Sequence, residues 1–403
     1  MADSLVRELS ALFRDRRAVF DSRVEWVSRL VRTWYVNSEG TAFYRVLSRA
    51  SLAAFGSTQA TDGAPLESTY QVSGSGLNDL PGRDSLRAAM AALGDQLMRL
   101  RQTPVLGSYD GPVLFGRAAV ADLVQLFLVP RLTASRLPVV DNPMFAQVMS
   151  QHGPTGSPAI GTRVLPRFLS VVDDPTLREW QGQYVGGFRV DDDGVPTHPT
   201  RVVDHGILSS LLTTRTPVRG ALQGGGNNWE DQPIVSTLLV IVDSAVSDAA
   251  LRRQLLALAT ARGLPYGIMI QDLGNAERMH FAQRGMGATP FGEAGPTVLA
   301  ATRIYLDGHE EPVRDATIVG LSPGTLKDIV AASRPSGVVT EPISNFSPFF
   351  GGGAGMAFLI GYNPYESSYI VPSILIDDIT IRPPAGDVPR LPVLPPPWDE
   401  PSR

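Results

Sequence analysis

Apolar residues recur along this chain at two different spacings. Near the N-terminus Leu5, Leu9, Leu12 and Phe13 share one face, which predicts a helix over Ser4 to Arg14. A strand pattern follows from about Val24 to Val36, and Asn37-Ser38-Glu39-Gly40 then reads as a turn. A second alternating run, Phe43, Arg45, Leu47 and Arg49, completes a long hairpin. Leu86, Met90, Leu93, Leu97 and Leu100 step by four and three, so a helix is predicted to about Gln102 with Asp84 as its N-cap. Val113-Leu114-Phe115 reads as a short strand. A helix over Gly116 to Val129 is predicted to stop near Pro130, which has no N–H to continue it.

The second half carries more strand signals. Gly187 to Val190 alternates before the acidic turn Asp191-Asp192-Asp193-Gly194. Arg201 to Asp204, the turn His205-Gly206, and Ile207 to Thr213 form a hairpin candidate. Leu238 to Val242 is a continuous apolar run and reads as a buried strand. Asp248 to Arg262 is helical, with Leu251, Leu255 and Leu258 inward and Gly263 as its stop. Strands are predicted at Tyr266 to Gln271 and Val298 to Leu306, with a hairpin turn at Asp307-Gly308. A short helix is predicted at Thr325 to Ser333, and a last strand at Ser368 to Ile381. From Pro383 the chain is proline-rich and reads as an extended tail. The sum is a mixed α+β architecture, strand-rich in its C-terminal two-thirds.

Composition narrows the function. The chain has 403 residues, 43% hydrophobic and 19% charged, as in an ordinary globular protein. Its net charge of −5 leaves no basic surplus to neutralise phosphates, which argues against nucleic-acid binding. There is no cysteine, so disulfides, thiolate catalysis and the softest zinc ligand are all excluded. Met1 to Arg7 does not read as a signal peptide, and no apolar run approaches the roughly 18 residues of a membrane span. A soluble, cytoplasmic protein without membrane contact is expected.

Few residues present themselves as chemistry. The histidines are His152, His198, His205, His280 and His309, and none pairs at the i, i+4 spacing of a helical metal site. His198 and His205 are placed to meet across a hairpin, although histidines in turns are usually solvated. Gly224-Gly225-Gly226-Asn227-Asn228-Trp229 and Gly351-Gly352-Gly353-Ala354-Gly355 lack a following Lys-Ser/Thr and read as loops. Asp191-Asp192-Asp193 lacks the spacing of a calcium loop and reads as a solvated turn. Trp229-Glu230-Asp231 and Tyr362-Asn363-Pro364-Tyr365 fit either recognition loops or packing.

The order of several short segments is more specific than any one of them. These are Trp34 to Thr41, Tyr109-Asp110-Gly111-Pro112-Val113-Leu114-Phe115, Val172-Asp173-Asp174-Pro175 and Asp191-Asp192-Asp193-Gly194-Val195-Pro196. Val203 to Leu208 with Thr214-Arg215, and Tyr369 to Ile376, complete the set. In this order the chain resembles the TldD/PmbA metalloproteases, from about residue 24 to about residue 397. The resemblance implies an α+β, TldD/PmbA-like fold: a residual N-terminal α/β region followed by a strand-rich C-terminal domain. The expected divisions are residues 1–135 with the long hairpin and the motif helix, 136–382 as the C-terminal domain, and 383–403 as the tail. The N-terminal region is expected to be shorter than in the family.

Where the family carries His-Glu-x-x-x-His, this chain has Gln125, Leu126 and Pro130. In the family two histidines and a downstream cysteine hold zinc and the glutamate is the general base. Here Gln125 is a weak neutral ligand, Leu126 takes no proton, Pro130 has no imidazole, and no cysteine exists. The resemblance therefore implies no catalytic residue, metal or cofactor in this chain, with zinc carried instead by a TldD-like catalytic partner. A non-catalytic TldE/PmbA-like subunit that completes the chamber and helps bind an extended peptide is the leading expectation. A stand-alone homodimeric binder of peptides or natural products is second, and a metal-free enzyme third.

Overall fold

The computed structural model describes residues 2–135, 160–216, 218, 226–229, 232–273, 296–342, 366–384 and 392. The chain divides into two compact units. The first comprises Met1–Trp34, Tyr44–Val105 and Pro384–Arg403, the second Tyr35–Phe43 and Leu106–Pro383.

In the first unit, helix α1 (Ala2–Ala11) precedes strands β1 (Asp21–Val36), β2 (Ala42–Gln59) and β3 (Pro65–Gly74) and helix α2 (Arg83–Leu100). The sheet order is β1-β2-β3, and β3 pairs antiparallel with the second half of β2, Ala50 opposite Gly74 and Gln59 opposite Pro65. The spacing-derived stripe Leu86, Met90, Leu93, Leu97 and Leu100 is buried, and it shares a core with Leu9, Phe13, Val24, Leu52 and Leu66. Contact with the sheet is close at Gly56, where a Cβ would stand 2.8 Å from Leu97 Cδ1. Asp84 is not the cap of α2. The cap position is Gly82, without a side-chain bond, and Asp84 lies in the first turn, where a carboxylate still favours the helix dipole.

The second unit holds two main sheets. Strands β4 (Tyr109–Phe115), β9 (Tyr266–Leu273), β10 (Thr297–Tyr305), β11 (Glu310–Val313), β12 (Ala316–Val319), β13 (Ile329–Ala332) and β16 (Ile374–Arg382) form the larger one. Its order is β9-β4-β16-β12-β10-β11, β13 also pairs with β16, and β9 pairs with β10. The path β9-β4-β16-β12-β10 therefore returns to β9 as a closed barrel, which removes its free edges. The smaller sheet has β5 (Leu169–Asp173), β6 (Thr200–Asp204), β7 (Ile207–Leu208), β8 (Thr237–Val242), β14 (Val339–Pro342) and β15 (Glu366–Ile370), in the order β7-β6-β5-β8-β15-β14. One core runs through both, from Val113, Phe115 and Ile268 to Val171, Leu238 and Tyr369. Helix α4 (Asp248–Ala261) packs Leu251 and Leu255 with Leu114, Ile304 and Leu375.

Three predicted elements differ. The last strand is two strands: β15 and β16 lie in different sheets, separated at Val371-Pro372-Ser373, where Pro372 cannot donate to a ladder. Thr325 to Ser333 is a short 3-10 turn, Thr325–Asp328, that runs straight into β13, because Ile329 and Ala332 are claimed by the core beside β16. Gly187 to Val190 is irregular, with Gly187 at φ +88° and only a bridge between Val190 and Pro196. The fold is α+β, with the strand-rich region in the C-terminal part of the chain.

Candidate functional site

The motif positions stand on a helix that springs from a central barrel strand. β4 is paired on both sides, parallel to β9 and antiparallel to β16, so Val113, Leu114 and Phe115 each have two neighbours. Gly116 donates its N–H to the carbonyl of Ile270 at 2.8 Å and accepts from Val120, which ends the strand and starts the helix. Helix α3 (Arg117–Leu123) then buries Ala119, Val120, Ala121 and Leu123.

The helix does not stop before Pro130. It widens into a π-helical segment, Val124–Leu128, and resumes as a turn, Val129–Leu132, that includes Pro130. The N–H of Val129 bonds the carbonyl of Val124, five residues back. Pro130 cannot donate in the same way to Gln125, so the wide turn ends there. This geometry matters for the spacing. In a regular α-helix, positions 125 and 130 differ by ~140° around the axis. A π turn stacks residues five apart and brings the two positions towards one face, and such turns are frequent at functional sites. Gln125 and Leu126 lie half-buried in the π-helical segment, and Pro130 lies exposed in the turn that follows it. An amide, a hydrocarbon and a pyrrolidine do not fit zinc, which wants imidazole, thiolate or carboxylate. After this helix Thr133–Ala134 pairs in parallel with Leu212–Thr213.

Two of the acidic landmarks meet around a pair of asparagines. Asp173, at the end of β5, is fully buried and accepts from the Ser236 N–H at 2.8 Å and from Asn227 Nδ2 at 2.9 Å. Burial pushes its pKa up to about 7, against the lowering effect of these bonds, and the neighbouring Asp174 adds to the rise. Asp191 is also fully buried. It accepts from the N–H groups of Asp193, Val195 and Asn228, and burial raises its pKa too. The expected turn is present, but Asp191 is not solvated. Its carboxylate closes the turn from inside, as buried polar groups must be paired. Asn227 and Asn228, which the sequence places in a glycine-rich loop, and Ser236, which it does not single out, are the residues that hold these carboxylates. Of the three, only Ser236 had a signal in the sequence, as a polar residue set just before the apolar run of β8. Trp229 is buried against Phe188 and is a packing residue.

Two further landmarks join the acidic turn within the second unit. Tyr35 donates its hydroxyl to the Asp193 carbonyl at 3.3 Å, and Arg215 donates its N–H to Asp193 Oδ2 at 3.0 Å. The Arg215 guanidinium pairs with Glu39. The hairpin tip, the acidic turn and the Thr214-Arg215 segment thus form one polar cluster.

The histidine pair does not form. Exposed His205 places Nδ1 3.0 Å from Asp243 Oδ2, and His198 is exposed. Among the described residues no group of three or more His, Cys, Asp or Glu is arranged to hold a metal. His152, His280, the segment 351–355, Glu230-Asp231 and Tyr362 to Tyr365 lie outside the described residues. No helix of the described residues is long and apolar enough to cross a membrane.

Comparison with known proteins adds to this geometry. A family model described as the PmbA/TldA metallopeptidase C-terminal domain matches residues 107–383. A metalloprotease of Methanothermobacter thermautotrophicus is 22% identical over 316 residues, covering 77% of this chain. The chain spans 62% of the length of that curated relative. A putative modulator of a DNA gyrase from Thermotoga maritima superposes with a TM-score of 0.64 at 16% identity, covering 94% of this chain and 73% of that one. TldE from Thermococcus kodakarensis superposes at 0.56 and 14% identity, covering 94% and 72%. At these identities the superpositions establish the fold.

Proposed function

This chain belongs to the PmbA/TldD metallopeptidase family, and from that premise we propose that it is the non-catalytic subunit of a two-chain metalloprotease. The carrying observation is the motif helix. It keeps Gln125 and Leu126 in its π-helical segment and Pro130 in the turn after it, yet these residues bring neither a metal ligand of useful strength nor a base. The fold is retained and the chemistry at that spot is gone. A cysteine ligand is missing from the entire sequence.

In this reading a TldD-like partner carries the zinc, which as a Lewis acid would supply the activated water. The present chain closes the chamber and helps hold an extended peptide, whose main chain can add to a sheet edge with little demand on its sequence. The TldE likeness in fold supports this choice. The reaction served is maturation or degradation of a peptide, with no nucleic acid involved, in the cytoplasm.

Co-expression tests it. This chain and a TldD-like subunit are expected to co-purify, with zinc in the partner and peptide hydrolysis only when both are present. Full hydrolysis by the partner alone would sink the proposal. A stable homodimer indifferent to that partner would favour a free-standing peptide binder instead.

A further inference from the structure

The hairpin tip, Tyr35 to Phe43, belongs to the second unit and is built before it touches anything there. Asn37 Oδ1 accepts from the N–H groups of Glu39 at 3.1 Å and Thr41 at 2.9 Å, Gly40 takes φ +87°, and Tyr35 stacks on Phe43 with centroids 5.0 Å apart. The acidic turn that the tip meets is anchored independently, by the buried carboxylate of Asp191 on the N–H groups of Asp193, Val195 and Asn228. The two approach closely. A Cβ on Gly194 would stand 2.7 Å from Thr41 Cγ2 and 3.3 Å from Tyr35 Cε1. Arg215 is held by both elements. Its N–H donates to Asp193 Oδ2, its guanidinium pairs with Glu39, and Tyr35 secures the tip on the Asp193 carbonyl.

Arg215 lies two residues beyond Leu212–Thr213, the pair whose parallel bridge to Thr133–Ala134 secures the chain just after the motif-helix turn ends at Leu132. Leu212 and Thr213 are fully buried. The grip beyond them is not: no residue from Tyr35 to Phe43 is buried, and the side chains of Glu39 and Arg215 are exposed. We propose that the tip is a salt-sensitive clip. Glu39 and Tyr35 are positioning residues that act through Arg215 and Asp193 to fix the chain leaving Leu212–Thr213, and with it the end of the motif helix. A buried apolar contact would hold this exit permanently. An exposed ion pair is screened by salt and opens locally, so ionic conditions set how firmly the exit is held. The clip needs neither a metal nor a second chain, and it stands apart from the two-chain reading above.

Hydrogen exchange of the full chain tests it. Tyr35→Phe combined with Glu39→Gln removes both polar grips and keeps the ring stack and the Asn37 turn. In that variant the amides of Arg215, Leu212–Thr213 and Thr133–Ala134 are expected to exchange about ten-fold faster, with β4 and β16 unchanged. Raising salt from about 0.05 M to about 1 M is expected to speed exchange at Arg215 about three-fold in the native chain, and Glu39→Gln alone is expected to lose that response. Unchanged exchange at Thr133–Ala134 in the double variant overturns the inference. So does acceleration spread evenly over the second unit, which marks lost stability and not a released clip. An equal salt response in the native and Glu39→Gln chains also overturns it.

Discussion

Asp173 sets the pH behaviour expected of the second unit. Its carboxyl is held by Ser236 and Asn227 in a site without water access, and burial lifts its pKa from 3.8 to about 7. Between those values the native chain keeps a proton that the unfolded chain has released. Stability is therefore greatest below about pH 4 as far as this group is concerned, and it falls as pH rises through about 7. At about 1.4 kcal/mol per unit, the loss attributable to Asp173 is at most about 4 kcal/mol. Urea unfolding from pH 5 to 8 is expected to show falling stability in the native sequence and a flatter profile in Asp173→Asn. An equally steep profile in that variant would assign the pH dependence elsewhere. The acidic character of this landmark is plain in the sequence. Its burial is not, because Asn227 and Ser236 reach it from more than fifty residues away.

At the scale of elements, periodicity located helices and strands well wherever one face meets a core. The α2 stripe is the clearest case, and Leu97→Ala there is expected to cost about 2–5 kcal/mol, read as a lowered unfolding midpoint of the first unit. The hairpin at His205-Gly206 was also legible, and β6 and β7 pair with Asp204 opposite Ile207. What the pattern did not reveal is why Gly206 must be glycine. It sits at φ +80°, and a Cβ would lie 2.3 Å from the Leu165 carbonyl oxygen. Gly206→Ala is expected to destabilise by about 2 kcal/mol or more, measurable as a drop in thermal midpoint. The π turn at Val124–Leu128 was equally hidden, since an apolar run gives no sign of how its hydrogen bonds are spaced.

For the whole molecule, the motif helix starts from barrel strand β4 and packs into the core that the closed barrel and the smaller sheet share. Elemental analysis of the separated subunits is expected to find zinc in the TldD-like partner and none that survives dialysis in this chain. Replacing Gln125 by Ala is expected, on the proposed non-catalytic role, to leave hydrolysis by the two-chain complex within about three-fold of the native rate. A loss of about a hundred-fold would return position 125 to the reaction.

The sequence by itself determined most of the element types, the ordered landmarks of the family, and the residue chemistry at positions 125, 126 and 130. These depend on local periodicity and on side-chain type, which are written along the chain. Only the tertiary structure decided the closure of the barrel, the split of β15 from β16 into two sheets, and the sharing of Asn227 and Asn228 between two buried carboxylates. It also decided the gathering of Glu39, Asp193 and Arg215. These join residues far apart in sequence, and which of many compatible pairings forms is settled by burial and by the need of every buried polar group for a partner.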